Sequence, residues 1–247
     1  DYEQRLTKES TVLVVDLGGG TSDFTVVRLG PERMRHADRS RDILATTGVH
    51  IGGTDYDRQL NLAQVMPLLG YKHIGPEQRE VPSRVFFDLA TWHLIHWQYQ
   101  AKAIAHAKTL RSNYSDMRLY ERLMQVLTER HGHHIAHEVE QAKIRCSVSR
   151  ADTGIDLSVM APGLQARLSA GDMPAQLHDL LGRTVACARE CVQRAGLTDA
   201  SLDAIYLTGG SSALSTFQSA LQAEFAGVPV VEGDLFGGVA LGLAYSR

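Results

Sequence analysis

Apolar and polar positions along this chain fall into three regimes. The N-terminal stretch VLVVDLGGGTSDFTVVRLG, residues 12–30, holds two β-branched apolar runs on either side of a glycine-rich break. Residues 12–15 are continuous enough for a strand buried on both faces, and residues 24–29 predict its hairpin partner. RDILATTGVHIGGTDYD predicts a third strand ending at Gly48, then Gly52 and Gly53 and a helix from about Asp55. From there to about Ser149 the period is helical. Residues 84–108 carry aromatic and aliphatic side chains at helical spacing, and residues 116–129 repeat the pattern after the SNYSD break. A small hairpin of IDLSVM and LQARLS around APG follows. Asp172 with Met173 and Pro174 predicts the start of a long helix to about Ala195, with Asp as cap and Pro in the first turn. The end alternates again: strand AIYLTGG, a helix over 212–225, strand VPVVEGD, and a helix over about 235–245.

β-Elements at the two ends therefore enclose a mostly helical middle. The expected fold is α/β, with one subdomain of mixed sheet and helices built from residues 1–51 plus 171–247. The expected insert, residues 52–170, is mostly helical and carries the small β-hairpin. At 247 residues, 44% hydrophobic and 21% charged, the composition is that of an ordinary globular protein. No apolar run approaches the roughly 18 residues of a membrane span, and no charged-then-apolar leader opens the chain. A net charge of -3 gives no electrostatic reason to expect nucleic acid or an anionic membrane as partner. Cys146, Cys187 and Cys191 are too few and too unevenly placed for a disulfide framework, so a reducing cytoplasm is the expected location. Asp1 leads into a buried strand after a short charged segment, as expected of a piece of a longer protein that extends upstream.

Candidate chemistry starts in the first hairpin. Asp16, the glycines Gly18, Gly19 and Gly20, then Thr21 and Asp23 lie between two strands. Consecutive glycines let the backbone take positive φ and bring N–H groups close to phosphate oxygens. Asp16 and Asp23 at the strand ends would face a Mg²⁺ bound to that phosphate. An ordinary glycine turn with Asp at its corners is the alternative. No segment has the Walker spacing, and a dinucleotide fingerprint needs a helix where Asp23 continues as strand. AIYLTGGSSAL repeats the logic: a strand, Gly209 and Gly210 in the turn, and Ser211 or Ser212 as cap of a helix whose N-terminus suits an anion. In HEVEQAKIRCSVS, Glu140, Lys143, Ile144 and Ser147 fall at i, i+3, i+4 and i+7 and share a helix face. They suit a ribose and a base, or else form a solvated face with a Glu–Lys pair.

Other features carry less. His133 and His137 have the spacing of a helical metal pair beside His131 and His134, but no third ligand is near in sequence. Cys187 and Cys191 share a helix face that reads as core. Trp92, Trp97 and Tyr99, at helical spacing, read as packing within the helical insert, with a partner surface as the alternative.

In this order and spacing the segments resemble the second lobe of the ATPase domain of DnaK-type heat-shock chaperones, within the actin, sugar-kinase and heat-shock ATPase superfamily. DLGGGTSD resembles the second phosphate loop, HIGGTDYD the entry to the helical subdomain, EQAKIRCS the adenosine-contacting helix and LTGGSSAL the adenosine loop. GDLFGGVALGLA, VLVVDLGGGT, MPLLG and IYLTGGS look closer to the YegD-type branch, which lacks the usual peptide-binding domain. The resemblance implies ATP or ADP with Mg²⁺ as cofactors. Gly18, Gly19, Gly20 and Thr21 would hold the β- and γ-phosphates, with Gly53 bordering the cleft. Asp16 and Asp23 would hold the metal and its waters, and Thr21 and Asp16 would stand nearest the chemistry. Glu140, Lys143, Ile144 and Ser147 would meet the adenosine from one side, and Gly209, Gly210, Ser211 and Ala213 from the other. Asp234 sits where the family has an aspartate near the nucleoside, at a different spacing to the following glycines.

Two departures shape the expected function. Where the family flanks adenine with two arginines, this chain has Ile144 and Ala213, so nucleotide is expected to bind more weakly. The family's first phosphate loop and catalytic lysine lie in a first lobe upstream, making that lobe an expected partner. ATP hydrolysis is thus expected of the intact protein, with chaperone clients or co-chaperones as further partners, and none of this chain alone. The alternatives are a non-catalytic actin-like scaffold governed by nucleotide and, behind it, a sugar-kinase-type phosphotransferase.

Overall fold

The structure is a computed structural model, and it describes residues 2–233. Its regular elements are, in order, β1 (Ser10–Leu17), β2 (Ser22–Leu29), β3 (Ile43–Val49), α1 (Gly53–Gln64), α2 (Arg84–Ala90), α3 (Ala101–Thr109), α4 (Met117–Thr128), α5 (Gly132–Ser149), β4 (Thr153–Asp156), β5 (Gln165–Leu168), α6 (Met173–Gln176), α7 (His178–Arg194), β6 (Ala204–Thr208), α8 (Ser215–Glu224) and β7 (Val230–Glu232). The fold is α/β with a mixed sheet. Among the described residues the chain forms two compact units, one taking the chain up to Gly53 and from His178 onward, the other Thr54–Leu177.

The first unit is built on a five-stranded sheet in the order β3-β2-β1-β6-β7. β1 pairs antiparallel with β2 and parallel with β6, so it is the central strand that joins the hairpin to the C-terminal strands. Alternation decides what each face does. Leu13 and Val15 stand opposite Val26 and Phe24 on β2 and opposite Ile205 and Leu207 on β6, and all six side chains have no exposed surface. Helix α7 packs on this face against β2 and β3. Thr47 donates its hydroxyl to the Cys187 carbonyl at 2.9 Å, and the Cys191 thiol reaches the Phe24 carbonyl at 3.4 Å. Cys191 is buried against the sheet and Cys187 partly so, which places the cysteine face of α7 toward the core, as its spacing suggests. The other face of the sheet carries Asp16, Asp23, Thr25 and Thr208, none of them buried.

In the second unit α5 packs against β4 of the two-stranded hairpin β4-β5, and α4 contributes Leu123, Val126 and Leu127 to the core. Residues 84–108 are not one helix. The chain leaves helical geometry at Thr91 and again at Gln100, giving α2, a 3-10 turn over Ile95–Tyr99, and α3. At about 100° per residue, Ile95 would lie about half a turn around a straight helix from Phe86. Both have no exposed surface here, which the break permits. The helix expected from Asp172 also divides, at Leu177, into α6 and α7. Asp172 makes no capping bond, because its own φ/ψ is helical; its N–H instead donates to the Ser169 hydroxyl at 3.3 Å. Trp92 and Trp97, expected as packing, are 57% and 52% exposed, while Tyr99 is half-buried and donates to the Arg130 carbonyl.

Two glycines make a clean comparison. Gly70 has φ 107°, and a Cβ there would lie 2.3 Å from the ring of Tyr114, whose hydroxyl donates to the Leu69 carbonyl at 2.9 Å. Gly182 lies inside α7 with nothing near a Cβ. Gly70→Ala is expected to destabilise by at least about 1–3 kcal/mol, and Gly182→Ala to stabilise by about 0.5–1 kcal/mol. Denaturant unfolding of the two variants beside the parent chain checks both signs.

Candidate functional site

β1 and β2 end their pairing at Leu17 and Ser22, so residues 18–21 form a four-residue connection closed by the Gly18 N–H donating to the Thr21 carbonyl at 2.9 Å. Asp16 and Asp23 are direct cross-strand partners and therefore point to the same, open face. Thr21 donates its hydroxyl to Asp23 at 3.1 Å. The Asp16 carboxyl is pushed above the usual carboxylate range, first by partial burial and then by the charge of Asp23. Register extends the row: Gly48 on β3 stands beside Asp23, and Thr208 on β6 beside Asp16. Neither was singled out from sequence. The signal that would find them is strand register, which needs the pairing partner as well as the strand.

The glycines act differently from the expectation. None of Gly18, Gly19 and Gly20 has positive φ. A Cβ on Gly19 or Gly20 would enter open space, so these positions leave the loop bare on one side. On the other side it rests on Gly52, where a Cβ would lie 2.6 Å from the Gly19 and Gly20 backbone. The Gly53 N–H donates to the Gly18 carbonyl at 3.0 Å, and the Ser22 hydroxyl to the Ile51 carbonyl at 2.6 Å. Close approach also governs the flanks. A Cβ on Gly48 would come within 2.8 Å of Asp23 Oδ1, and one on Gly209 within 2.5 Å of Asp16 Oδ1. Gly209 additionally has φ 80°. The structure thus brings Asp16, Gly18–Thr21, Asp23, Gly53 and Gly209 together at one end of the sheet.

The expected serine cap is not made. Ser212 is buried and turns its hydroxyl to donate to the Gly209 carbonyl at 2.7 Å, leaving it bonded within the turn. A 3-10 turn, Gly210–Ala213, precedes α8, which starts at Ser215 rather than Ser212. Gly210 and Ala213 are exposed and Ser211 is half-buried. Asp234 and the helix expected over 235–245 lie outside the described residues.

In the second unit α5 divides its four candidates. Lys143 and Ser147 are buried, whereas Glu140 and Ile144 are exposed, Ile144 by 44%. The Lys143 ammonium lies 2.8 Å from Asp57 Oδ1 on α1. Burial pushes the Asp57 carboxyl up to about 6 against the pull of Lys143. Asp57 was missed in the sequence, although it lies in the GGTDYD segment, because nothing local to α1 names its partner on α5. His131 pairs with Glu129 at 2.9 Å, and no group of three His, Cys, Asp or Glu side chains among the described residues is arranged to hold a metal. No helix among them is long and apolar enough to cross a membrane.

No protein-family model matches the chain. It is similar to heat-shock chaperones: 26% identical over 217 residues to the heat shock 70 kDa protein BIP3 of Oryza sativa subsp. japonica, covering 87% of this chain and 24% of that protein. It is 24% identical over 221 residues to the chaperone protein DnaK of Thermus thermophilus, covering 86% of this chain and 27% of that protein. A shorter match, 41% over 54 residues, is to the DnaK of Cyanophora paradoxa, covering 22% of this chain and 8% of that protein. The chain spans about a quarter of the length of the curated relatives it matches over most of its own length. The mixed α/β fold agrees with the actin-like ATPase class expected from this similarity.

The buried pair has a pH signature. Asp57 titrates near 6 in the folded chain and at its ordinary 3.8 when unfolded, so between these values the folded state holds the extra proton. Its contribution to stability is complete below about pH 4 and is lost as pH rises through about 6. Relative to Asp57→Asn, the parent chain is expected to lose stability between those pH values, by up to about 1–3 kcal/mol. Urea midpoints of both proteins at pH 4.5 and 7.0 measure the difference, and equal differences at the two pH values would contradict it.

Proposed function

We propose that this chain is the second lobe of the nucleotide-binding domain of a DnaK-type, YegD-like chaperone ATPase, and that it binds adenine nucleotide with Mg²⁺. The observation that carries the reading is the pair of facing carboxylates, Asp16 and Asp23, beside a loop bare of side chains. Partial burial and then the charge of Asp23 raise Asp16, and a divalent cation between the two carboxylates would relieve that repulsion. Gly18, Gly19, Gly20 and Thr21 present backbone to phosphate oxygens, with Gly53 holding Gly18 in place. Bound Mg²⁺ would supply charge neutralisation at the terminal phosphates.

For adenosine, Gly209, Gly210, Ser211 and Ala213 offer backbone and small side chains. On α5 the exposed Glu140 offers a polar group and the exposed Ile144 an apolar surface to a purine face, with the buried Lys143 and Ser147 behind them. Lys143, buried and paired with Asp57, fixes the part of α5 from which Glu140 and Ile144 project. Clients and co-chaperones belong to the intact protein, as does turnover.

Titration calorimetry of the chain with Mg-ADP is expected to give micromolar-to-millimolar affinity, corresponding to about 4–8 kcal/mol. Asp16→Asn with Asp23→Asn is expected to weaken Mg-ADP by about tenfold or more while leaving adenosine alone unchanged. The chain alone should release no phosphate from ATP. In the intact protein, turnover no higher than that of Asp16→Ala with Thr21→Ala would overturn the catalytic part. Mg-ADP binding indifferent to the two asparagines would overturn the metal site.

A further inference from the structure

Between Asp88 and Asp116 the chain has no acidic residue, yet it carries Lys102, Lys108 and Arg111, three histidines and both of the chain's tryptophans. The second unit folds this stretch into the 3-10 turn Ile95–Tyr99, α3 and a further 3-10 turn, Leu110–Asn113, with α2 and α4 packed against it. Ile95, Ala107 and Leu110 anchor it in the core, while Trp92 and Trp97 stay more than half exposed. Lys102, Lys108 and Arg111 have no acidic partner among the described residues. Gln98, Lys102 and His106 line a surface hollow of about 310 Å³ together with Arg84 and Asp88 of α2. Asp88 is already satisfied there, accepting from Arg84 Nε at 2.9 Å and from Gln98 Nε2 at 3.1 Å. Arg84 gives that bond with Nε alone, which leaves its terminal amino groups for another acceptor. Lys102 and His106 stand one turn apart on one face of α3.

The unmet groups of this stretch are donors and cations, set beside two exposed indoles in a chain whose net charge is negative. Exposed tryptophans supply large apolar contact area and dominate many interfaces, and a cationic surround selects an anionic partner. At about 30 Å³ per liquid water the hollow holds roughly ten waters, room for a side chain. A carboxylate there would meet Lys102 and the free end of Arg84. A nucleic acid strand is disfavoured, since it needs a longer track of cations for its phosphates. A bilayer is disfavoured because the exposed side chains of α3 beside its lysines are mostly alanines, which offer little to insert. We propose that residues 92–111, with the hollow beside α2, dock an acidic peptide segment of a protein partner, its carboxylates meeting the cations and its apolar side chains the tryptophans. The inference stands apart from the nucleotide reading, since it uses no residue of that site.

Both tryptophans of the chain lie in this stretch, so intrinsic fluorescence reports on it directly. A peptide free of tryptophan and tyrosine, in which Asp–Glu pairs alternate with Leu, is expected to shift the emission saturably. Its counterpart with Asn and Gln at the acidic positions should bind about tenfold more weakly or less. Lys102→Glu with Lys108→Glu, both at exposed positions, is expected to weaken the acidic peptide by about tenfold or more. Trp97→Ala should weaken it by a similar factor, read on Trp92. Raising salt from about 50 to 500 mM should weaken it further, since exposed charges are screened. Asp16→Asn with Asp23→Asn, which alters the proposed metal site, should leave peptide binding unchanged. No saturable shift with the acidic peptide, equal binding of its neutral counterpart, or full affinity in the lysine-to-glutamate variant would overturn the proposal. Tighter binding of oligouridylate or of phosphatidylserine vesicles than of the peptide would overturn it too, by assigning the surface to nucleic acid or to membrane.

Discussion

Two like charges set directly opposite each other on neighbouring strands are the constraint around which the first unit is organised. Asp16 and Asp23 repel, and cross-strand pairs of this kind destabilise a sheet. What holds them in register is the opposite face. Val15 meets Phe24 and Leu13 meets Val26 there without exposed surface, with α7 packed over that face. A slip of one residue would turn those side chains to the open face and the carboxylates into the core. The apolar core thus offsets a local repulsion, and the repulsion sits where a cation would relieve it.

The same region shows why glycine is needed, and the reason is contact rather than conformation. Gly52 admits the loop backbone, Gly48 admits the Asp23 carboxylate, and Gly209 admits that of Asp16. Each replaces a side chain that would displace a charged group or a peptide. Only Gly209 among these has positive φ. Gly19 and Gly20, with open space where a Cβ would stand, leave bare backbone on the side opposite Gly52.

Much of this was legible in the chain. Alternation and β-branching located β1, β2, β3 and β6, because those signals depend only on neighbours two residues apart. The face of α7 that carries Cys191 read as core from its spacing of three and four residues, which is equally local. What failed required a partner. Helical spacing over 84–108 could not reveal that Phe86 and Ile95 are buried together, nor could the Ser in LTGGSSAL reveal that its hydroxyl turns back to Gly209. Thr208 and Gly48 entered the row of site residues only through register. Trp92 and Trp97 read as packing from their helical spacing, yet the break in their segment leaves both outside.

Helix α5 shows how narrow the margin between face and core is. On a helical wheel, Lys143 and Ser147 lie within about 60° to one side of Glu140, and Ile144 about 40° to the other. The four read as one stripe, and the wheel alone cannot say where the protein surface cuts it. The cut runs through the stripe: Lys143 and Ser147 go under and Ile144 stays out. Lys143 can be buried as a charge because α1 supplies Asp57 at 2.8 Å, and a buried ammonium without such a partner would be strongly unfavourable. Asp57 in turn accepts a raised pKa as the consequence of its own burial. An ion pair between two helices, each half of which looks unremarkable in its own segment, thereby settles which polar groups of α5 remain on its surface.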